Sequence, residues 1–255
     1  MTVYRCTRAQ RMDLADCLGD SPETVIATHL LRCGLCQAYA SDSNEQYGNV
    51  IVQAQALPGE PMGFGEDAAL LWEMLQAVEK WFCINVTTSC ASVLGPLIAT
   101  GLRTNVRYLR DLYYTLTRPV VVLRHEAVRK LEVEDIPMVE AAPKAVQGGC
   151  FGSVRALLEE GKAAGAIVNG NLVAIAHVAA QSDSFADIGV ATLAPWRGLG
   201  FASAAASLVA GELQQAGVTP IWSTGEDNHA SQRVAQTLGF SEIGRRMYVI
   251  LDAGM

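Results

Sequence analysis

The chain has 255 residues, half of them apolar and 18% charged, with a formal net charge of −7. That balance excludes a disordered chain and a broad nucleic-acid-binding surface, and the length allows one large domain or two small ones. Residues 126–255 hold 9 basic and 14 acidic side chains, a net −5 that suits a cationic or neutral amine ligand but is also ordinary for soluble cytoplasmic proteins. Six of the seven cysteines precede residue 91, and the odd number argues against a secreted disulfide scaffold. Arg5, Arg8, Arg11, Asp13 and Asp16 interrupt the first 20 residues, so no signal peptide is read there. The uncharged stretch 163–182 raises the question of a membrane span, but Asn169-Gly170-Asn171 divides it into a hairpin. The expectation is a soluble, cytoplasmic protein with neither nucleic-acid nor membrane partner.

In chain order, residues 21–40 read as a helix, opened by Ser21-Pro22 and apolar through Val25, Ile26, Leu30 and Leu31. On that helix His29, Cys33 and Cys36 would share a face; this permits a metal geometrically, although small thiols packed inside a helix read the same way. Residues 41–48 are a polar loop and 49–57 a strand broken by Pro58-Gly-Glu-Pro61. A helix over 66–80, a strand over 81–86, a short helix over 91–100 and a strand over 106–116 follow. The second half starts with a strand at 128–131 and a helix beginning near 132–137. A helix near 153–164, hairpin strands at 166–168 and 172–180, and a strand at 188–193 come next. Then come a long helix over 198–216, a strand over 220–223, a helix over 229–238 and a last strand over 243–251. The late elements recur in the same order in both halves. Trp81 matches Trp222, Gly101 matches Gly239 and Tyr114 matches Tyr248, a pattern that favours an internal duplication over chance similarity.

One segment concentrates chemistry. The strand 188–193 runs through a Pro-bearing turn into Arg197-Gly-Leu-Gly200-Phe-Ala and an Ala-rich amphipathic helix. Glycines at a helix start let backbone N–H groups approach an anion without an intervening Cβ, and the helix dipole favours negative charge there. Arg197 adds a cation. Neither a Walker loop nor a dinucleotide fingerprint fits the spacing, while small residues alone would also permit close helix packing.

Val190-Ala-Thr192, followed by Arg197-x-x-Gly200-x-Ala202, resembles the acetyl-CoA signature of the GNAT superfamily of N-acetyltransferases. Trp222-Ser-Thr-Gly-Glu226-Asp-Asn228-His-Ala-Ser231 with Leu238-Gly-Phe240, and the opening 128–137, resemble that family too. The resemblance covers roughly residues 126–255. It implies an α/β fold with a mixed, mostly antiparallel sheet flanked by helices, and the repeat extends this to a tandem pair. The expected domains are 1–122, a degenerate GNAT-like half, and 123–255, the functional half.

The resemblance further implies acetyl-CoA as acyl donor. Backbone groups of Val190, Ala191 and Thr192 would pair with the pantetheine arm. The amides of Gly198, Leu199, Gly200, Phe201 and Ala202, with Arg197, would hold the pyrophosphate. Asn228 would meet the pantetheine end and Ser231 could donate to it; Asn228 is equally read as a helix cap. The Val190 N–H would be the oxyanion donor. Glu226 is the first choice of base, against a solvated loop carboxylate, and His177 the second, against a hydrogen-bonded core histidine. Many relatives carry a Tyr seven residues after the Asn as acid to the leaving thiolate; here that position is Ala235, which leaves Tyr248, water or no acid.

The expected reaction is direct attack by a primary amine, of a small molecule, on acetyl-CoA; the competing reading is a non-catalytic acyl-CoA-binding or sensing module. Substrate contacts are expected from the loops 141–152 and 181–187. The first half, with Met62-Gly63-Phe-Gly65-Glu66-Asp67 in place of the Arg-Gly-x-Gly loop, is expected to have lost its cofactor site. It would replace the partner subunit of a dimer and leave the chain monomeric.

Overall fold

The computed structural model describes residues 3–41, 48–149 and 151–252. Among them are twelve strands: β1 (Val3–Arg5), β2 (Cys36–Ser41), β3 (Val50–Ala54), β4 (Met62–Phe64), β5 (Cys83–Thr87), β6 (Val106–Thr115), β7 (Val128–Lys130), β8 (Ala163–Val168), β9 (Asn171–Gln181), β10 (Phe185–Thr192), β11 (Thr219–Gly225) and β12 (Ser241–Leu251). Eight α-helices flank them: α1 (Arg8–Leu18), α2 (Val25–Cys33), α3 (Ala68–Leu75), α4 (Thr88–Leu102), α5 (Ile136–Ala141), α6 (Val154–Glu160), α7 (Phe201–Gln215) and α8 (His229–Thr237). All strands join one sheet, in the order β1-β2-β3-β4-β5-β12-β6-β11-β10-β9-β8-β7.

That order reads the same from either end once β1–β6 are matched with β7–β12. Each half contributes five consecutive strands, and its sixth crosses over to sit against the fifth strand of the other half. Only β4/β5 and β10/β11 are parallel pairs; the other neighbours run antiparallel. The sheet is therefore mixed and mostly antiparallel, as expected, and the repeat is a pseudo-twofold one. The β6/β12 ladder lies at its centre and pairs Asp111 with Arg246.

The connection between the halves lies along α7. The Val120 N–H donates to Gln214 Oε1 at 2.9 Å, and the Leu123 N–H donates to Ser207 Oγ at 2.9 Å. A core of Ala205, Ala206, Val209 and Leu213 from α7 with Ile188, Trp222 and Phe240 fills one sheet face of the second half. Small residues on α7 let the helix approach the sheet closely. The Asn169-Gly170 turn is the expected one: both residues have positive φ, 52° and 77°, and Val168 pairs with Asn171 across it.

The reading of 21–40 as one helix is corrected. Gly34, at φ 71°, ends α2, and the N–H of Leu35 returns to the Leu30 carbonyl at 3.0 Å. Cys36 is thus the buried first residue of β2, and the helix face supposed for His29, Cys33 and Cys36 does not exist. Among the described residues no group of three or more His, Cys, Asp or Glu could hold a metal ion. The helix over 8–18 escaped the sequence reading, although Thr7 and Gln10 form a capping box at its start. Met62, Gly63 and Phe64 form a strand rather than a loop. Most of the loop expected over 41–48 lies outside the described residues. No helix of the described residues is long and apolar enough to cross a membrane.

Candidate active site

β10 and β11 are paired only over Phe185–Thr219, Ala186–Pro220 and Asp187–Ile221. Beyond Asp187 they part, since β11 continues against β6 and β10 continues against β9. The 188–192 edge of β10 is left without a strand partner, which is the geometry that accepts an extended ligand backbone. At the end of that edge a single turn containing Pro195 leads to Arg197, whose Nε donates to the Thr192 carbonyl at 3.2 Å. Gly198 and Gly200 both have φ of 81°, in the left-handed region that disfavours side chains, and Gly200 is the N-cap of α7. A Cβ on either would meet no neighbour within 4 Å, so the glycines answer to backbone conformation and to open space above the loop.

These pieces enclose a cleft of about 840 Å³. Its walls are residues 190–192, the loop with Arg197, Gly198 and Gly200, residues 201–203 at the start of α7, and the 230–234 face of α8. Of the expected cofactor residues only Leu199 is not in the wall; its side chain is turned to solvent. Asn228 caps α8, accepting from the Ser231 N–H at 3.1 Å, which leaves its amide N–H groups as donors for a ligand. Ser231 Oγ accepts from Trp222 Nε1 at 2.9 Å and so keeps its own proton to give. The wall also holds Arg233, Ser203 and Trp196, which sequence reasoning missed. The helical spacing 230, 231, 233, 234 was the available signal for Arg233. Two arginines and no carboxylate line this cleft, a setting for an anion.

The three candidate acid–base residues lie elsewhere. Glu226 follows β11 and is held by Arg110 of β6. It accepts from the Arg110 N–H at 3.1 Å and from its guanidinium at 2.8 Å, contacts that lower its pKa. It is not part of the cleft wall. His177 is buried on β9; burial pushes its pKa down to about 4, its Nε2 accepts from the Gly149 N–H at 3.3 Å, and its Nδ1 has no partner among the described residues. Tyr248 lies on β12, its pKa raised by burial first and by Asp111 next. Ala235 is fully buried in the core beneath Trp222.

A second cavity, about 1000 Å³, lies between the halves. Ile26 and Leu30 of α2, Leu35, Leu57, Glu60 and Met62 come from the first half; Glu140, Lys144, residues 148–149 and 152–154, Ala179, Asp187 and Tyr248 come from the second. Asp187 therefore stands where β10 and β11 part and also opens onto this cavity. Its carboxylate accepts from the Ser223 N–H at 3.0 Å and is 3.1 Å from the Ser223 hydroxyl. Burial nevertheless raises its pKa to about 7, the Ser223 bonds opposing and the Asp111 charge assisting.

The corresponding strand pair of the first half, β4 and β5, is closed. Arg246 of β12 donates to the Gly63 carbonyl of β4 at 2.6 Å and to the Asn85 carbonyl of β5 at 3.1 Å. Its Nε donates to Asn85 Oδ1 at 2.5 Å, and its guanidinium sits 4.6 Å from the Phe64 ring centre. One buried cation thus bridges β4 and β5, whereas their counterparts β10 and β11 part beyond Asp187.

Comparison with known proteins agrees with this geometry. Residues 139–249 match the family model of the GNAT acetyltransferases. The whole-chain fold is similar to a GCN5-related N-acetyltransferase-like protein from Streptococcus suis, at 18% identity and TM-score 0.70, over 96% of this chain and 100% of that one. A GNAT-family acetyltransferase from Colwellia psychrerythraea aligns at 15% identity and TM-score 0.63, over 99% and 100% of the two chains. A tandem GNAT protein from the clavulanic acid biosynthesis pathway aligns at 14% identity and TM-score 0.58, over 100% and 99%. No curated protein matches the sequence. Residues 139–249 are thus similar to the GNAT acetyltransferase family, and the chain as a whole has the fold of tandem GNAT proteins.

Proposed function

We propose that the protein transfers an acetyl group from acetyl-CoA to a primary amine of a small molecule. The observation that carries this reading is the open 188–192 edge of β10 ending at the two left-handed glycines and the α7 N-terminus. Residues 190–192 would pair with the pantetheine arm, and the α7 N-terminal amides, with Arg197 and Arg233, would hold the pyrophosphate. Bound this way, the cofactor supplies an activated acyl group. The protein supplies position, an oxyanion donor at the Val190 N–H, and an acceptor for the amine proton.

Titration calorimetry with acetyl-CoA tests the assignment. Gly200→Val forces a branched residue into φ of 81° and places its side chain in the open space above the loop. Affinity should fall at least tenfold, on the order of 1.4 kcal/mol, with the fold intact by circular dichroism. Unchanged affinity would remove the loop from the site.

The buried Ala235 favours a second reading, in which the cleft holds an acyl-CoA without turnover, as a sensor would. Steady amine-dependent thiol release from acetyl-CoA excludes that reading, and its absence across an amine panel favours it. On either reading the first half binds no cofactor and completes the fold in place of a partner subunit, so the protein acts as a monomer.

A further inference from the structure

We propose that the connector between the halves is part of the donor site: His125 is a positioning residue for the loop that opens α7, and bound acetyl-CoA in turn tightens the connector. The proposal rests on the reading of the cleft beside β10 and α7 as the acetyl-CoA site. Residues 116–127 form a strap that runs along α7 from its end to its start. Gln214 Nε2 donates to the Leu116 carbonyl at 3.2 Å and to the Arg118 carbonyl at 2.7 Å, while its Oε1 accepts from the Val120 N–H. Ser207, two turns earlier in the helix, accepts from the Leu123 N–H. At the helix start the His125 ring meets the Phe201 ring edge-on, with centroids 4.8 Å apart and planes at 79°. From Gln214 to Phe201 the strap follows about 20 Å of helix.

Phe201 is where the strap reaches the cleft. It is the first residue of α7, it lines the cleft, and its N–H is one of the amides read as pyrophosphate donors. The loop before it has few anchors of its own. Gly198 and Gly200 carry no side chain, Leu199 is 51% exposed, and Arg197 is tied upstream to the Thr192 carbonyl. The direction of the amides therefore depends on the seat of the Phe201 ring, which is buried. Ala166, Val173 and Ala174 of β8 and β9 form the floor of that seat; Trp196, 6.4 Å away between centroids, and His125 form its sides. Trp196 belongs to the turn that leads into the loop, so His125 is the side fixed from outside it.

His125 is itself held by the chain that enters the second half. Its Nδ1 accepts from the Ala127 N–H at 3.2 Å, and its carbonyl accepts from the Val128 N–H at 3.0 Å as the chain turns into β7. The ring is thus in place before any ligand arrives, and a loop steadied in advance loses less freedom on binding. An aromatic contact of this geometry is worth roughly three- to tenfold in an equilibrium constant. Coupling is reciprocal, so a connector that strengthens acetyl-CoA binding by some factor is itself stabilised by bound acetyl-CoA by the same factor. The strap offers two places to read this. Val121, in its middle, is 76% exposed, and the bond between Arg124 and His125 lies beside an exposed arginine.

The test titrates acetyl-CoA into the parent, His125→Ala, His125→Phe and Val121→Ser by calorimetry, and digests each with trypsin in the presence and absence of saturating acetyl-CoA. His125→Ala should weaken binding roughly three- to tenfold. His125→Phe keeps a ring against Phe201 and should recover most of that loss, and Val121→Ser should bind as the parent does. In the parent, acetyl-CoA should slow cleavage after Arg124 more than cleavage after Arg103, an exposed site between α4 and β6 that reports general stabilisation. In His125→Ala the two cleavages should be slowed alike. Should His125→Ala fail to fold, the digest of the parent decides. A folded His125→Ala with the parent's affinity, a His125→Phe no better than His125→Ala, or equal protection at Arg124 and Arg103 in the parent overturns the role of the connector and leaves the cleft assignment standing. A parent that binds no acetyl-CoA overturns the cleft assignment and this proposal with it.

Discussion

Asp187 and His177 are buried titratable groups of the second half, and burial moves their pKa values in opposite directions. For Asp187 the neutral form is favoured in the fold, up to about pH 7. Between the ordinary carboxylate range and pH 7 the folded state therefore holds more protons than the unfolded one, and stability falls as pH rises through that window. Asp187→Asn should unfold at higher denaturant than the parent at pH 8, by on the order of 1–3 kcal/mol, and show little difference at pH 4. Equal midpoints at pH 8 would contradict the burial cost. His177 is depressed to about 4, so between pH 6.5 and 4 the unfolded state binds more protons and stability is lost on acidification. Glu226 is tied to Arg110, and Glu226→Gln should leave turnover within threefold; a hundredfold loss would restore it as the base. Arg197 and the 190–202 segment were legible in the sequence because glycine and a cation before an Ala-rich helix have few other uses. Asp187 was read only as the end of a loop, because the cavity onto which it opens is built from both halves.

At the scale of elements, the helix and strand order of the second half was readable from apolar period and turn chemistry, down to the Asn169-Gly170 hairpin. The first half was less so. Gly34 ended α2 inside what looked like a C-x-x-C helix, and β4 was hidden because three residues give no period. The closing of β4 against β5 by Arg246 could not be read at all, since Arg246 is 161 residues from Asn85. Arg246→Met keeps much of the volume but leaves Asn85, the Gly63 carbonyl and the nearby Asp111 without their cation. Such a loss costs about 3 kcal/mol, so the variant should unfold at clearly lower denaturant than the parent. A variant as stable as the parent would show that the cation is dispensable.

Across the whole molecule, the exchange of β6 and β12 makes the halves interdependent. Each fifth strand finds its antiparallel neighbour in the other half, so residues 1–122 or 123–255 expressed alone would expose an unpaired β5 or β11 edge. Neither piece should give a cooperative unfolding transition by itself, while the two co-expressed should copurify. The same exchange delivers Arg246 into one strand fork and leaves the other open, so a symmetric fold presents one cleft where its repeat suggests two. Calorimetric titration of the intact chain with acetyl-CoA tests this most directly. One site per polypeptide is expected, weakened at least tenfold by Gly200→Val; two equivalent sites, or one that survives that substitution, would contradict a single cleft at the α7 N-terminus.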